Sequence, residues 1–180
     1  IGVMAIVIVL SSTGLNLGVH YLSGSVTFDP AVTTVNATTA SEIVWLDAFL
    51  TNVDRTGRNT NMLMWHNELW LIDHGASLYF HHNWDTWQEQ AIKPFAPIRN
   101  HVLLPQAEQL DQADEKMKKI LSSDVLRSIT DLIPDSWLMH KDSDQSPAAL
   151  RDVYFQFLNT RIQHSSFFVN EAKNARESAI

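Results

Sequence analysis

Apolar and polar positions divide this chain into short runs and one apolar helix before residue 83, and helical stretches after it. The uncharged Val/Ile run Ile1–Leu10 predicts a buried strand. A Ser/Thr/Gly turn follows at Ser11–Gly14, and LNLGVHYLSG predicts a second strand ending at Gly24. Residues 25–38, SVTFDPAVTTVNAT, predict a loop, and the Asn36-Ala37-Thr38 sequon in it is a chance match. Thr39 or Ser41 is expected to cap the next helix, with Glu42 in its first turn. That helix runs to about Leu50 and is apolar on most faces, through Ile43, Val44, Trp45, Leu46, Ala48, Phe49 and Leu50. Asp47 interrupts it. A lone charge of this kind is expected at a solvent edge or capping a neighbour; the other reading makes it a partner of the loop that follows.

Residues 52–82, NVDRTGRNTNMLMWHNELWLIDHGASLYFHH, have a different rhythm. A polar loop carries Asp54, Arg55, Arg58, Asn59 and Asn61. Two apolar strands, Met62–Trp65 and Leu69–Ile72, form a hairpin across His66–Glu68, and the turn Asp73-His74-Gly75 closes the segment. The hairpin places both polar turns at one end, so Asp54, Asn59 or Asn61, and Asp73 can converge.

Beyond Asn83 the pattern is helical. NWDTWQEQ reads as a short amphipathic turn, and Pro94 and Pro97 interrupt structure. QAEQLDQADEKMKKIL reads as an exposed helix, and SSDVLRSITDLI as another, capped by Ser122 or Ser123. Pro134-Asp135 opens a turn anchored by Trp137, Leu138 and Met139, and KDSDQSP is a solvated loop. Ser146-Pro147 opens one long last helix, with Leu150, Tyr154, Phe157, Leu158 and Ile162 as its core stripe.

Composition narrows the options. The chain has 180 residues, 45% hydrophobic and 18% charged, enough for one globular domain. A net charge of −7 argues against a general binder of nucleic acid or anionic membrane. With no cysteine, thiol catalysis and cysteine-based zinc sites are excluded. The ten-residue apolar start is too short to span a bilayer and lacks the flanks of a signal peptide.

The polar turns carry a recognisable chemistry. Phosphoryl transfer needs a carboxylate to orient the attacking hydroxyl and hard oxygens to hold Mg²⁺ on the nucleotide phosphates. Kinases place an Asp, an Asn five residues later, then a hairpin leading to Asp-x-Gly. Asp54 and Asn59 have that spacing, and Asp73-His74-Gly75 stands at the second position. With Asn52-Val53-Asp54…Asn59, the stretch WLDAFLTNVDRTGRNTNMLMW…LWLIDHGASLYFHH resembles the catalytic core of the HipA-like kinases, an atypical protein-kinase family of bacteria. The phosphoinositide kinases share the same general logic.

The resemblance implies an α+β protein-kinase-like fold, represented mainly by the helical catalytic lobe with a short β-hairpin. It implies a single domain, with residues 1–24 closing the small lobe and hinge, residues 39–180 forming the catalytic lobe, and the small lobe largely absent. Transfer of the ATP γ-phosphoryl group to a Ser or Thr hydroxyl of a protein follows, in the cytoplasm, with no nucleic-acid or membrane partner. Asp54 would orient the hydroxyl. Asn59, with Asn61 as its rival, and Asp73 would hold Mg²⁺. Tyr21 and Leu22 would offer backbone to adenine, and Arg55 and Arg58 would hold phosphate or pair with acidic neighbours. Two departures matter. His74 stands where ordinary kinases have Phe, and no Lys precedes Asp54. The second departure gives the alternative reading, a degenerate kinase-like binding or regulatory module; a phosphoinositide or small-molecule kinase is a third.

Overall fold

A computed structural model describes residues 14–139 and 145–179. The strand predicted over residues 1–10, the turn at 11–13 and most of the 141–147 loop lie outside them. The described chain is mostly helical with one small sheet. Three antiparallel strands, β1 (Val26–Thr27), β2 (Met62–Trp65) and β3 (Glu68–Leu71), lie in the order β1-β2-β3. Helices α1 (Ala37–Leu50), α2 (Trp87–Ala91), α3 (Leu110–Ile120), α4 (Ser123–Thr130), α5 (Asp135–Leu138), α6 (Pro147–Gln163) and α7 (Ser166–Ala179) make the body.

Helix α1 is the hub, packed on α3, α6 and α7. Its Trp45 stacks on Phe49 and meets the edge of Phe168 from α7, with ring centroids 5.1 and 5.4 Å away. A second aromatic group, Phe80 stacked on Phe157 at 4.2 Å, ties the segment after the hairpin to α6. Burial of such rings is the main favourable term holding the helices together.

The hairpin is present, with a tighter turn than expected. Trp65 pairs with Glu68, leaving His66 and Asn67 as a two-residue turn with φ of 50° and 64°. Positive φ at both central positions is the type I′ geometry whose twist matches the strands.

Several expectations from the sequence need correction. The strand predicted to end at Gly24 is not one: the chain turns at Ser23-Gly24 and pairs only afterwards, Val26 with Met64 and Thr27 with Leu63, inside the predicted loop. Gly24 at φ 79° and the bond from Ser25 N–H to the Leu22 carbonyl (3.1 Å) make that turn. Helix α1 starts earlier, at Ala37, because the Asn36 side chain accepts the Thr39 N–H at 2.9 Å. Ser41 instead donates to the Ala37 carbonyl and accepts the Gln109 N–H, pinning the entry to α3. Helix α3 buries Leu110 and Ala113 rather than being exposed throughout. Of the three expected anchors of α5 only Leu138 is buried; Trp137 and Met139 are exposed. The long last helix is two, broken at His164–Ser165 so that Phe168 and Val169 turn back onto α1. Ser122 and Ser146 do cap α4 and α6.

Candidate active site

The site grows from the end of α1. Thr51 leaves the helix in the left-handed region, with its N–H on the Ala48 carbonyl and the Asn52 N–H on the Asp47 carbonyl at 2.8 Å. This pair of bonds is the Schellman arrangement, built on Thr where Gly is usual. The reversal points Asn52 back at Asp47, whose carboxylate accepts the Asn52 side-chain N–H at 2.9 Å. Asn52 Oδ1 in turn accepts the Asp54 N–H. Asp54 is thereby fixed by the helix end.

Two amides then turn onto Asp54. Asn59 Nδ2 donates to Asp54 Oδ2 at 2.8 Å, and Asn61 Nδ2 to the same oxygen at 3.1 Å. Each amide oxygen is left on the other side of its side chain. The hairpin ladder continues one step past Met62–Leu71, through the Ile72 N–H to the Asn61 carbonyl at 2.9 Å. Asp73 therefore starts its turn beside Thr60 and Asn61. Bonds from Val53 N–H to Ala76 and from Leu78 N–H to Leu50 clamp the two polar turns side by side. Gly75 donates to Asp73 Oδ1, and a Cβ there would lie 3.3 Å from that oxygen.

Strain concentrates here. Six non-glycine residues of the described chain have positive φ: Thr51, Asn61, His66, Asn67, Asp73 and Leu78. All fall in this one segment. Such backbone costs energy and persists where surroundings over-determine it, commonly at functional sites.

A cleft of about 530 Å³ opens beside the loop, lined by Thr27–Pro30, Gly57–Leu63 and Ile72. It contains Arg58, Asn59 and Asn61. Tyr21 and Leu22 do not line it; their carbonyls accept the Ser23 and Ser25 N–H groups, and the stretch 27–30 stands against the cleft instead. Arg55 also stays out of the cleft. It is 1% exposed, with Nε on Asp47 at 2.5 Å and Nη1 on the Asn61 carbonyl. Of the two roles open to Arg55, pairing with an acidic neighbour is the one realised, and Arg58 is the arginine that faces the cleft.

A family model described as HipA-like kinase matches residues 14–171. The chain belongs to the HipA-like kinase family. No curated protein and no solved structure matches it. The largely helical body with its small antiparallel sheet is compatible with a kinase-like fold.

Seen in that family, the donor set fits a hard cation. Asp54, Asp73 and the amide oxygens of Asn59 and Asn61 are the ligand types that Mg²⁺ takes. Among the described residues no three His, Asp or Glu side chains gather as a metal cage. A cation here would be shared between few protein oxygens and substrate phosphates, as is usual for Mg²⁺. His81 and His82 bring ring nitrogens within 3.2 Å of each other, after the Asp-His-Gly turn.

Of the two readings open to Asp47, a solvent edge and a partner of the loop, the structure realises the second. Asp47 is fully buried, not at an edge, and three groups converge on it: Arg55, Asn52 and His101 Nε2 at 2.9 Å. Burial alone would raise its pKa. Hydrogen bonds from His101 and Arg55, and the Arg55 charge, outweigh that and hold it below the usual aspartate value. His101 Nδ1 accepts the Leu103 N–H, so its ring proton sits on Nε2 and is donated to Asp47. In the Asp-His-Gly turn, partial enclosure and the Arg55 charge push His74 below its ordinary pKa, against the pull of Asp47 and Asp73.

Arg161 is the other buried cation, 1% exposed. Among the described residues it has no carboxylate partner; its guanidinium donates to the carbonyls of Ala48 and Phe49 at the end of α1, of Ala91 at the end of α2 and of Lys93 beyond it. Helix C-termini carry partial negative charge, which suits a cation. Burial pulls its pKa down to about 10, still well above neutrality. It fixes the helix end from which the Asp54 loop departs.

Proposed function

We propose that this chain transfers the γ-phosphoryl group of ATP to a hydroxyl, Ser or Thr of a protein. The observation that carries this reading is the pair of amides, Asn59 and Asn61, which line a cleft and turn onto one oxygen of Asp54. That is the spacing and chemistry of a hydroxyl-orienting carboxylate beside hard metal ligands. Family membership supports it.

In this reading Asp54 accepts a hydrogen bond from the acceptor hydroxyl and aims its oxygen at the γ-phosphorus. The new O–P bond forms as the bond to the ADP oxygen breaks, and the hydroxyl proton leaves by way of Asp54. Asp73 and the Asn oxygens hold Mg²⁺, which neutralises phosphate charge when bound. Asn59 keeps the sequence spacing, while Asn61 is buried and better fixed. Arg58 faces the cleft and meets phosphate. Residues 14–24 stand on the small-lobe side, and residues 39–180 form the catalytic lobe of a single kinase domain, working in the cytoplasm where ATP is available.

The test is transfer of label from γ-labelled ATP to Ser/Thr peptides or to the chain itself. Label on Ser or Thr, needing Mg²⁺ and lost in Asp54→Asn, is the expected result. Magnesium-dependent nucleotide binding without any transfer would overturn the enzyme and leave the binding-module reading.

A further inference from the structure

Asn61 is the most constrained residue of the site. It sits at φ 47°, and its carbonyl accepts both the Ile72 N–H and Arg55 Nη1. Its side-chain amide donates to Asp54 Oδ2 and to the Asp54 carbonyl, at 3.1 and 3.3 Å. Asn59, by contrast, is exposed, and its backbone pairs with Thr56 alone among the described residues, N–H to Oγ1 and carbonyl to the Thr56 N–H.

The Arg55 guanidinium explains how that conformation is held. A buried Arg–Asp pair can satisfy itself by placing two guanidinium nitrogens on one carboxylate. Here Nε takes Asp47 Oδ2 at 2.5 Å, Nη2 lies 3.5 Å from Oδ1, and Nη1 turns away to Asn61. Asp47 does not lose by this, because His101 Nε2 fills Oδ2 and Asn52 Nδ2 fills Oδ1. His101 is itself held by the Leu103 N–H and by bridge pairing with Thr56, while the Val102 N–H bonds the Arg55 carbonyl. A segment 40 residues downstream therefore braces the loop from behind.

We propose that Asp47, Arg55 and His101 are positioning residues: their buried network holds Asn61, and through it Asp54, in the orientation that receives a divalent cation. The proposal deepens the phosphoryl-transfer reading of this site and rests on it. None of the three reaches the cleft, so each acts only through Asn61 and the loop. Arg55→Lys is the sharpest probe. It keeps the positive charge for Asp47, but a single ammonium lacks the planar fork that reaches Asp47 and the Asn61 carbonyl together.

Two measurements test this on the full chain. One titrates Mg²⁺ at fixed ATP and follows nucleotide binding calorimetrically, well below the melting temperature. The other follows exchange of the Ile72 amide in metal-free protein. In Arg55→Lys the half-saturating Mg²⁺ concentration should rise about 10-fold or more, the usual effect of losing a group that orients a metal ligand. Ile72 exchange should accelerate while amides in the middle of the hairpin keep their protection. His101→Gln should move both readouts in the same direction by less. Unchanged Mg²⁺ dependence and unchanged Ile72 exchange in folded Arg55→Lys would overturn the proposal. If that variant does not fold, unchanged values in His101→Gln overturn it. A wild-type chain with no magnesium-dependent nucleotide binding overturns the phosphoryl-transfer reading and the proposal together. A responsive wild type with indifferent variants overturns the proposal alone.

Discussion

Asp47 and Arg161 show how single buried charges set the geometry of a loop they do not belong to. Asp47→Ala would strand Arg55 in the interior, and breaking such a pair costs about 3–5 kcal/mol. That is a large part of a typical stability of about 5–15 kcal/mol. The pH dependence has a definite sign. A carboxylate whose native pKa lies below its unfolded value stabilises the fold above that unfolded value and loses the contribution as pH falls through the native one. Asp47 is lowered from 3.8, so its contribution is complete at neutral pH and disappears only below that point. Acid unfolding followed by circular dichroism should show a steep limb there in the wild type and a shallower one in Asp47→Asn. Arg161→Met should cost about 2–4 kcal/mol, because several buried carbonyls lose their donor at once; urea denaturation measures it. The contact of Asn59 with Asp54 was legible because their spacing is local. The link from Asp47 to Asn52 and Arg55 was open to one of the two sequence readings, but its partner His101 lies 54 residues away and nothing in the apolar helix announces it. Arg161 did leave a trace: it falls four residues after Phe157, on the same helical stripe as the core residues of α6.

At the scale of elements, the hairpin and its flanking turns are the most local structure in the chain and the best read from sequence. Two short apolar runs on either side of a polar turn, and the Asp-x-Gly turn after them, encode them directly. β1 was missed because two residues carry no periodicity; it exists only by pairing with β2. The break between α6 and α7 was missed for a related reason. His164–Ser165 contains neither Gly nor Pro, and the turn is imposed by Phe168 packing on Trp45. The end of α1 makes a testable case of local strain. Thr51 holds φ 56°, where a β-branched residue is disfavoured and Gly is not. Thr51→Gly should therefore stabilise the fold by about 1 kcal/mol, read as a higher urea midpoint. Loss of stability would mean that the Thr51 hydroxyl bond to the Leu50 carbonyl outweighs the backbone strain.

Across the whole molecule, a helical body built on α1 carries a strained polar segment at its edge. Arg161 ties that edge to α2, Asp47 ties it to the segment at His101, and β1 ties it to the stretch at 27–30 that lines the cleft. The α+β class, mostly helical with one small sheet, was legible because the helical and hairpin patterns are strong. Residues 14–24 were less so. Leu15, Leu17, Val19 and Tyr21 alternate like a strand, yet all four are exposed and pair with no strand among the described residues. No helix among the described residues is long and apolar enough to cross a membrane.

Asp54, the Asn pair and Asp73 are proposed to form a magnesium–nucleotide site. The most direct measurement is the melting temperature with and without Mg-ATP, in wild type and in Asp73→Asn. A ligand at a hundredfold excess over its Kd stabilises by about 2.7 kcal/mol. For a chain of this size that is a rise of roughly 5–10 °C. The expected result is such a rise, dependent on Mg²⁺ and lost in Asp73→Asn. A wild type that does not respond to Mg-ATP, or an Asp73→Asn variant that responds equally, would contradict it.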